Sequence, residues 1–300
     1  MDKKKEISLY PVWSHIEEFL DEKIGLNQLA FFSNYSPWHF HRIFSNFHGE
    51  TLGDYIKRLR LEKSAYALKS TNFPILEIAI ETGYASNEAY TKSFKKQFGK
   101  TPLQYRKTYS KWKSLESNLE FPPSLKPDEI FIQEISDFSI AYVRRFGSYE
   151  NFPGLIEGEE TKILNQFIQD VQSEPNNHKW IGISQDDPQI TKSDLIRFDL
   201  GITIGNLRLT KIPKSLGIQK VSGGKYLIFR NRGDYSLLPE VYDWILNRYI
   251  PNKFQLRNLP PFEIYTNPFE SCMKKRITDL YFPIHSLSNY KRKSINPKAN

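Results

Sequence analysis

The chain has little cysteine and no long apolar run. Its 300 residues include one cysteine, Cys272, so neither an intrachain disulfide nor a cysteine-based metal cluster can form. No apolar run approaches the roughly 20 residues that span a bilayer, and the first residues, MDKKKEISLYPVW, lack the apolar core of a signal peptide. These absences predict a protein of a reducing compartment, most simply the cytoplasm.

Motifs for catalysis and cofactor binding are also missing. There is no Ser-His-Asp set, no phosphate-cradling glycine loop and no HExxH metal pair. His178 and His285 stand alone in the sequence, which favours surface or packing roles. We therefore assign no catalytic residue, no metal and no cofactor. The formal net charge of +8 is compatible with an anionic partner but decides little by itself.

The chain divides into two halves of different character. Residues 1–112 show helical periodicity, and 113–127, rich in proline and serine, are typical of a linker. Residues 128–286 alternate short strand patterns such as IFIQEI, FSIAYV, KYLIF and FEIYT with helical stretches near 153–172 and 237–249. Residues 287–300 form a polar, basic tail that we expect to be disordered. We predict an all-α domain followed by an α+β domain.

Each half repeats itself. In the first half, Ser36, Phe40 and Phe44 match Ser86, Tyr90 and Phe94 at an offset of 50, and the match continues to Tyr55 and Tyr105. In the second half, RRFGSYENFP matches RNRGDYSLLP at an offset of 86, and Asp199 matches Asp279 at an offset of 80. The pattern predicts a strand, a helix and a hairpin used twice, with a cleft where the two copies meet.

The unit repeated in the first half is a helix, a tight turn and a second helix. Asn34 and Gly83 occupy the turns, where a left-handed backbone is needed, and Ser36 and Ser86 are placed to cap the second helices. This arrangement predicts two helix-turn-helix units, whose second helices enter the major groove of DNA.

The polar face of each second helix is the candidate DNA-binding surface. Its base and phosphate contacts are predicted at Trp38, His39, His41, Arg42, Asn87, Glu88, Thr91, Lys92, Lys95 and Lys96. Arginine pairs with guanine, asparagine with adenine, and glutamate accepts from cytosine, whereas the two distal lysines suit phosphates. A merely solvated face is the alternative. The duplication and the tryptophan at position 38 favour DNA.

The stretch ILEIAIETGYASNEAYTKSFKKQFGKTPLQYR, residues 75–106, resembles the DNA-binding domain of AraC/XylS-type transcriptional regulators. Within that family the sequence is most similar to the Rob/SoxS-like branch, because Trp38, His39 and Arg42 recur in the same helix of that branch. The resemblance implies monomeric binding of two successive major-groove segments, ~34 Å apart. Phe31-Phe32 and Glu88-Ala89 depart from the pattern, so the resemblance carries the binding mode and not the operator sequence.

The second half resembles the GyrI-like (Rob-type) small-molecule-binding domain, on stretches that include GISQDDPQIT, VSGGKYLIFRNRGDYSLLPEVYDWI and LPPFEIYTNPFES. The resemblance implies a cleft for lipophilic, often cationic molecules, anchored by a carboxylate in the strand PPFEIY. The ligand-binding residues it implies are Glu263, Tyr149, Trp180, Phe229, Tyr235 and Tyr265.

Other roles stay open for some of these residues. Tyr149, Tyr235 and Trp180 also suit core packing, and a glutamate on an alternating strand usually faces solvent. The repeat-equivalent Arg144 and Arg230 are better explained as structural partners of Asp or Glu than as ligand anchors.

The leading hypothesis is a sequence-specific transcription regulator that senses a small molecule. Its expected partners are promoter DNA, RNA polymerase and the effector; it acts in the cytoplasm on the nucleoid, as a monomer or a weak dimer. One alternative is a second domain that hydrolyses strained-ring compounds, with Glu263 as base or nucleophile. The other is a second domain that binds a protein.

Overall fold

The computed structural model describes residues 9–110, 120–149, 158–171, 178–205, 207, 212–250 and 253–285. The predicted basic tail, 287–300, lies outside these ranges, as do residues 113–119 of the predicted linker, 113–127. The first strand begins at Leu125, inside the predicted linker. No helix among the described residues is long and apolar enough to cross a membrane.

The first half is helical. Its helices are α1 Tyr10–Glu18, α2 Leu26–Phe32, α3 Pro37–His48, α4 Leu52–Ser70, α5 Ile75–Glu81, α6 Asn87–Phe98 and α7 Pro102–Ser110.

Both predicted helix-turn-helix units are confirmed. Asn34 and Gly83 have φ angles of 57° and 79°, the left-handed conformation that the turns require. The side chain of Ser36 accepts a hydrogen bond from the backbone N–H of His39, and Ser86 does the same for Ala89. These caps satisfy N–H groups that the first helical turn leaves free, so α3 and α6 begin where the sequence predicts.

Each unit has its own aromatic core. Phe40 and Phe44 on α3 and Tyr90 and Phe94 on α6 are fully buried. Because residues four apart share one helix face, burying these rings turns the opposite face of each helix to solvent. The sequence repeat in the first half is therefore a repeat of structure.

The second half is an eight-stranded antiparallel sheet with helices. Its elements are β1 Leu125–Ile135, β2 Phe138–Phe146, α8 Glu159–Asp170, β3 Trp180–Ser184, β4 Arg197–Thr203, β5 Gly217–Val221, β6 Gly224–Arg232, α9 Leu238–Trp244, β7 Phe262–Tyr265 and β8 Ile277–Pro283. The helix α9 continues as a π-helical stretch, Ile245–Tyr249. The strand order is β1-β6-β8-β7-β3-β4-β2-β5.

The sheet is built from two copies of one module, which confirms the predicted fold class. One copy is β2, α8 and the hairpin β3–β4, and the other is β6, α9 and the hairpin β7–β8. The order β6-β8-β7 therefore meets its mirror order β3-β4-β2 at the β7–β3 pair. In each copy an arginine faces an aspartate across the first and last strands: Arg144 Nε lies 2.7 Å from Asp199, and Arg230 Nε lies 2.7 Å from Asp279. The structural role predicted for both arginines is confirmed.

The two faces of the sheet are covered by different parts of the chain. On β2, Ala141 and Val143 join a core with α8 and α9, whereas Ile140 and Tyr142 join a core with α1. Trp13 of α1 packs edge-on to Phe146 at 5.5 Å. Since successive side chains of a strand point to opposite faces, burial on both faces explains why β2 is almost continuously apolar.

Candidate DNA-binding surface and ligand cleft

The N-terminal part of α3 presents a solvent-exposed polar face. Trp38 is 70% exposed, and the Arg42 guanidinium lies 4.8 Å from the centre of its ring. His41 is exposed, whereas His39 is half-buried against Tyr35, with ring centres 4.8 Å apart. An exposed tryptophan is uncommon on a surface helix. Here the Arg42 guanidinium packs on its ring at the N-terminal end of α3, the end of such a helix that contacts base edges in DNA.

The helix α6 presents the second polar face. Exposed on it are Asn87, Glu88, Lys92, Lys95 and Lys96. Thr91 is half-buried. Hydrogen-bonding groups thus stand near the start of the helix, with the two lysines one to two turns farther on. This order matches base contact followed by phosphate contact, and all ten predicted DNA-binding residues remain predictions.

The spacing of the two units depends on α4, which joins them. Its 19 residues span about 28 Å. From this helix the Arg60 guanidinium donates to the carbonyl oxygens of Leu20 at 2.7 Å, Glu22 at 2.5 Å and Gly83 at 3.3 Å. The Arg60 side chain therefore connects the segment after α1 to the turn of the second helix-turn-helix unit. No local sequence signal identifies this role, because its partners are backbone atoms far along the chain.

A cavity of about 1130 Å³ lies where α4, the segment after β3, α9 and β7 meet. Its lining includes side chains of both halves of the chain, among them Tyr66, Asp186 and Tyr242. Small-molecule sites commonly measure about 300–1,000 Å³, so the space suffices for a drug-sized molecule.

Glu263 lies at this cavity with its carboxyl almost out of solvent. The side chain is 4% exposed, and the Tyr265 hydroxyl donates to Glu263 Oε2 at 2.5 Å. Burial raises the pKa of Glu263 to about 7, against the lowering effect of hydrogen bonds from Tyr265 and Tyr242. Apart from burial, only the two tyrosine hydroxyls affect the pKa of Glu263, and no cationic side chain contributes. The carboxyl is thus a buried acid that an incoming cation would ionise.

The strand opposite Glu263 is shaped for this arrangement. Gly182 on β3 pairs directly with Glu263, and a Cβ at Gly182 would collide with the Tyr265 hydroxyl. The glycine therefore leaves room for the tyrosine that holds the carboxyl. A glycine inside a strand is a signal of such close approach, although the sequence does not show what approaches.

The predicted ligand-binding aromatics divide into two groups. Tyr149 and Tyr235 line the cavity, and Tyr265 contacts Glu263. The structure places the other two in the core, outside the cavity lining. Trp180 packs edge-on to Phe269, and Phe229 lies among Trp244, Tyr249 and Phe282. Sequence reasoning identifies the aromatic residues but not which of them face the cavity.

Tyr242 is the main functional candidate that the sequence does not indicate. It lines the cavity from α9, and its hydroxyl is one of the two that lower the pKa of Glu263 against the effect of burial. It lies seven residues after Tyr235, two helical turns on, but the intervening 3₁₀ turn at Tyr235–Leu237 breaks simple helical spacing.

The charge of the cavity lining is predominantly negative. Among the lining residues that the structure describes, carboxylates outnumber cationic side chains. Asp187 is neutralised by Lys69 at 2.8 Å, whereas the contacts of Asp243 with described residues are with the amides of Gln189 and Asn247, at 3.0 and 2.7 Å. This balance favours a cationic ligand over an anionic one. Within the described ranges, no group of three His, Cys, Asp or Glu side chains could hold a metal ion.

Comparison with known proteins assigns both halves. A family model described as a helix-turn-helix domain matches residues 29–108, and one described as a GyrI-like small molecule binding domain matches residues 128–285. The latter match covers more than half of the chain.

Three curated proteins are similar to the chain. The transcriptional regulator Rob of Salmonella typhimurium is 28% identical over 252 residues, 79% of this chain and 81% of Rob. The regulatory protein SoxS of Escherichia coli is 38% identical over 91 residues, 30% of this chain and 85% of SoxS. The right origin-binding protein of Escherichia coli is 41% identical over 97 residues, 32% of this chain and 33% of that protein. The chain therefore belongs to the AraC/XylS-type family of transcriptional regulators, in the Rob/SoxS-like branch, and combines the DNA-binding domain of that family with a GyrI-like small-molecule-binding domain.

Proposed function

We propose that the protein regulates transcription in response to a lipophilic cation that binds in the cavity at Glu263. The observation that carries the proposal is a buried carboxyl held by the Tyr265 hydroxyl at a large, mainly apolar cavity. A desolvated carboxylate attracts a cation strongly, and aromatic rings add cation–π attraction. The apolar wall selects molecules that also bury hydrophobic surface.

Titration of the protein with matched compounds tests the ligand class. The panel contains lipophilic cations, neutral analogues of the same shape and anions, with binding measured by calorimetry and by intrinsic tryptophan fluorescence. The cations are expected to bind selectively, and Glu263→Gln is expected to weaken them by about tenfold or more, since a hydrogen bond or ion pair to a charged group is worth about 1.5–3 kcal/mol.

The matched control is Glu240→Gln, an exposed glutamate of α9 outside the cavity lining. It should leave cation affinity unchanged. Equal binding of cations and neutral analogues, or cation affinity that is indifferent to Glu263→Gln, would contradict the proposed ligand class and its anchor.

We propose further that α3 and α6 bind promoter DNA together, from one chain acting as a monomer on the nucleoid in the cytoplasm. Two recognition helices on one chain remove the need for a dimer to read two half-sites. Contact with RNA polymerase is supported by exposed apolar side chains on the first helices of both units. Phe31 is 80% exposed on α2, and Leu76 and Ile80 are 55% and 60% exposed on α5. Leu76 and Ile80 lie four residues apart and so share one face of α5, and adjoining exposed apolar side chains are typical of a surface that binds another protein.

We propose that the cavity binds its ligand without turnover. The similar curated proteins are described as regulators, and the Glu263 carboxyl is already engaged by the Tyr265 hydroxyl, which donates to it. Mass spectrometry of bound compounds after prolonged incubation checks this proposal. An unaltered ligand is expected, whereas a product that disappears in Glu263→Gln would contradict it.

A further inference from the structure

The cavity extends to the DNA-binding domain. Leu59, Glu62, Lys63, Tyr66 and Lys69 of α4 contribute to its lining. Each of these positions lies three or four residues from another of them, so they form a single face of α4. The same helix separates the two recognition helices. One wall of the ligand cavity is therefore the spacer of the DNA-binding domain.

Glu62 is a second buried carboxyl at the cavity. It is 7% exposed and accepts one hydrogen bond from Arg58 Nη1 at 3.0 Å. The same guanidinium uses Nε and Nη2 to donate to Glu50 at 2.9 and 2.6 Å. One positive charge is thus shared between two carboxyls. Burial raises the pKa of Glu62 to about 7, against the lowering effect of Arg58.

The two buried carboxyls of the cavity come from different domains. Glu263 belongs to β7 of the GyrI-like domain and Glu62 to α4 of the DNA-binding domain. Apolar and aromatic side chains that include Leu59, Tyr66 and Tyr242 share the lining with them. A volume just above the usual range for small-molecule sites gives room for a ligand longer than one that Glu263 alone would hold.

We infer that the effector is an elongated molecule with a cationic group at each end and an apolar middle, and that it contacts both domains at once, one end at Glu263 and the other at Glu62. This inference rests on the proposed function and specifies its ligand. A ligand that bridges the domains stabilises the arrangement in which α4 lies against the cavity, because it binds that arrangement better than one in which the domains part. Ligand binding is thereby linked to the helix that spaces the two DNA-reading units.

Two synthetic probes test the contacts of the two ends of the ligand separately. One is an alkane with a trimethylammonium group at each end, and the other replaces one of these groups by a hydroxyl. With the full-length protein, calorimetry is expected to show that the dication binds at least about tenfold more tightly than the monocation, as one added charged contact implies. Glu62→Gln is expected to abolish this advantage, whereas Glu263→Gln weakens both probes.

Lys63→Gln is the matched control, because Lys63 lies next to Glu62 on the same wall with the opposite charge. It should raise the affinity for the dication, whereas any general damage to α4 would lower it. Unchanged or lowered dication affinity in Lys63→Gln overturns the inference, including in the case where Glu62→Gln fails to fold.

A dication advantage that survives Glu62→Gln also overturns the inference but leaves the proposed function standing, provided that Glu263→Gln still weakens both probes. Binding of both probes that is indifferent to Glu263→Gln overturns the proposed anchor itself. The absence of binding by either probe overturns both.

Discussion

At the scale of single residues, we expect Glu263 to determine how ligand binding in the cavity depends on pH. Burial raises its pKa to about 7, so below that value the carboxyl is mostly protonated and gives a cation no opposite charge. For a monocation of permanent charge, we expect affinity to fall below about pH 7 towards the residual affinity of a protein without this charge, and to level off well above pH 7. Calorimetry across this range measures the effect.

The Glu263→Gln variant provides the comparison. With no titrating group at this position, its residual affinity for the monocation should be nearly independent of pH. The stability of the folded protein has the opposite dependence: because the folded-state pKa lies above the unfolded value, Glu263 lowers stability as pH rises from about 4.5 to about 7. A monocation affinity in the wild type that is flat over this range would contradict an ionising anchor.

The sequence predicts only some of the residues at the cavity correctly. Glu263 and the tyrosines at 149, 235 and 265 are found at the cavity or its carboxyl, but Trp180 and Phe229 are not. Trp180 lies directly opposite Tyr265 in the sheet and faces the same helical layer, yet it is covered by Phe269. Residue type and strand alternation predict the face of the sheet. They do not predict which part of that face a loop covers.

At the scale of elements, two left-handed glycines of the second helix-turn-helix unit differ in how closely they are packed. Gly83 has φ 79°, and a Cβ there would lie 2.7 Å from the Asp21 carbonyl oxygen and 2.8 Å from Arg60 Cζ. Gly99, which ends α6, has φ 71° with nothing within 4 Å of such a Cβ. The first glycine thus meets both a conformational and a steric requirement, and the second only a conformational one.

We therefore expect Gly83→Ala to destabilise the protein more than Gly99→Ala. The left-handed backbone costs a side chain about 1–2 kcal/mol at either position, and the clash at Gly83 adds about 1–3 kcal/mol. Urea denaturation of both variants checks the difference. Equal losses of stability would show that Arg60 and the segment after α1 do not hold the turn as described.

The sequence predicts the helix-turn-helix elements well because their signals are local. Capping serines, a left-handed turn residue and a four-residue aromatic spacing each act within a few positions, and all are confirmed at Ser36, Asn34 and Phe40. The twofold module of the sheet was also predictable, since duplication preserves the paired Arg144 and Arg230. The contacts of Arg60 were not, because they join segments that only the fold brings together.

At the scale of the whole molecule, ion pairs from α1 hold the two domains together. Glu17 on α1 accepts from Arg144 Nη1 at 2.5 Å and from Arg197 Nη1 at 2.7 Å, and both arginines belong to strands of the sheet. Arg197 also pairs with Asp186 in the cavity lining. The sequence predicts two domains with a linker between them, but an ion network that joins them depends on their docking and leaves no local pattern.

Glu17→Gln is expected to lower the free energy of unfolding by about 1–3 kcal/mol, because it removes one carboxylate from two buried guanidinium groups that keep their other partners. The neighbouring Glu18→Gln, at an exposed position of the same helix, should change stability by less than about 0.5 kcal/mol. Thermal and urea denaturation measure both. An effect of Glu17→Gln as small as that of Glu18→Gln would show that the ion pairs of Glu17 do not hold the two domains together.

The central claim is that one chain reads DNA with two recognition helices, and equilibrium binding to DNA tests it most directly. Fragments selected from random DNA by the full-length protein would be titrated with protein at several salt concentrations, beside an unselected fragment. We expect the selected DNA to bind far more tightly, with log affinity falling steeply with log salt as lysines and arginines displace counterions. Arg42→Ala should cost the selected fragment about 1–3 kcal/mol and the unselected one much less. Equal affinity for both fragments, or binding indifferent to salt, would contradict the claim.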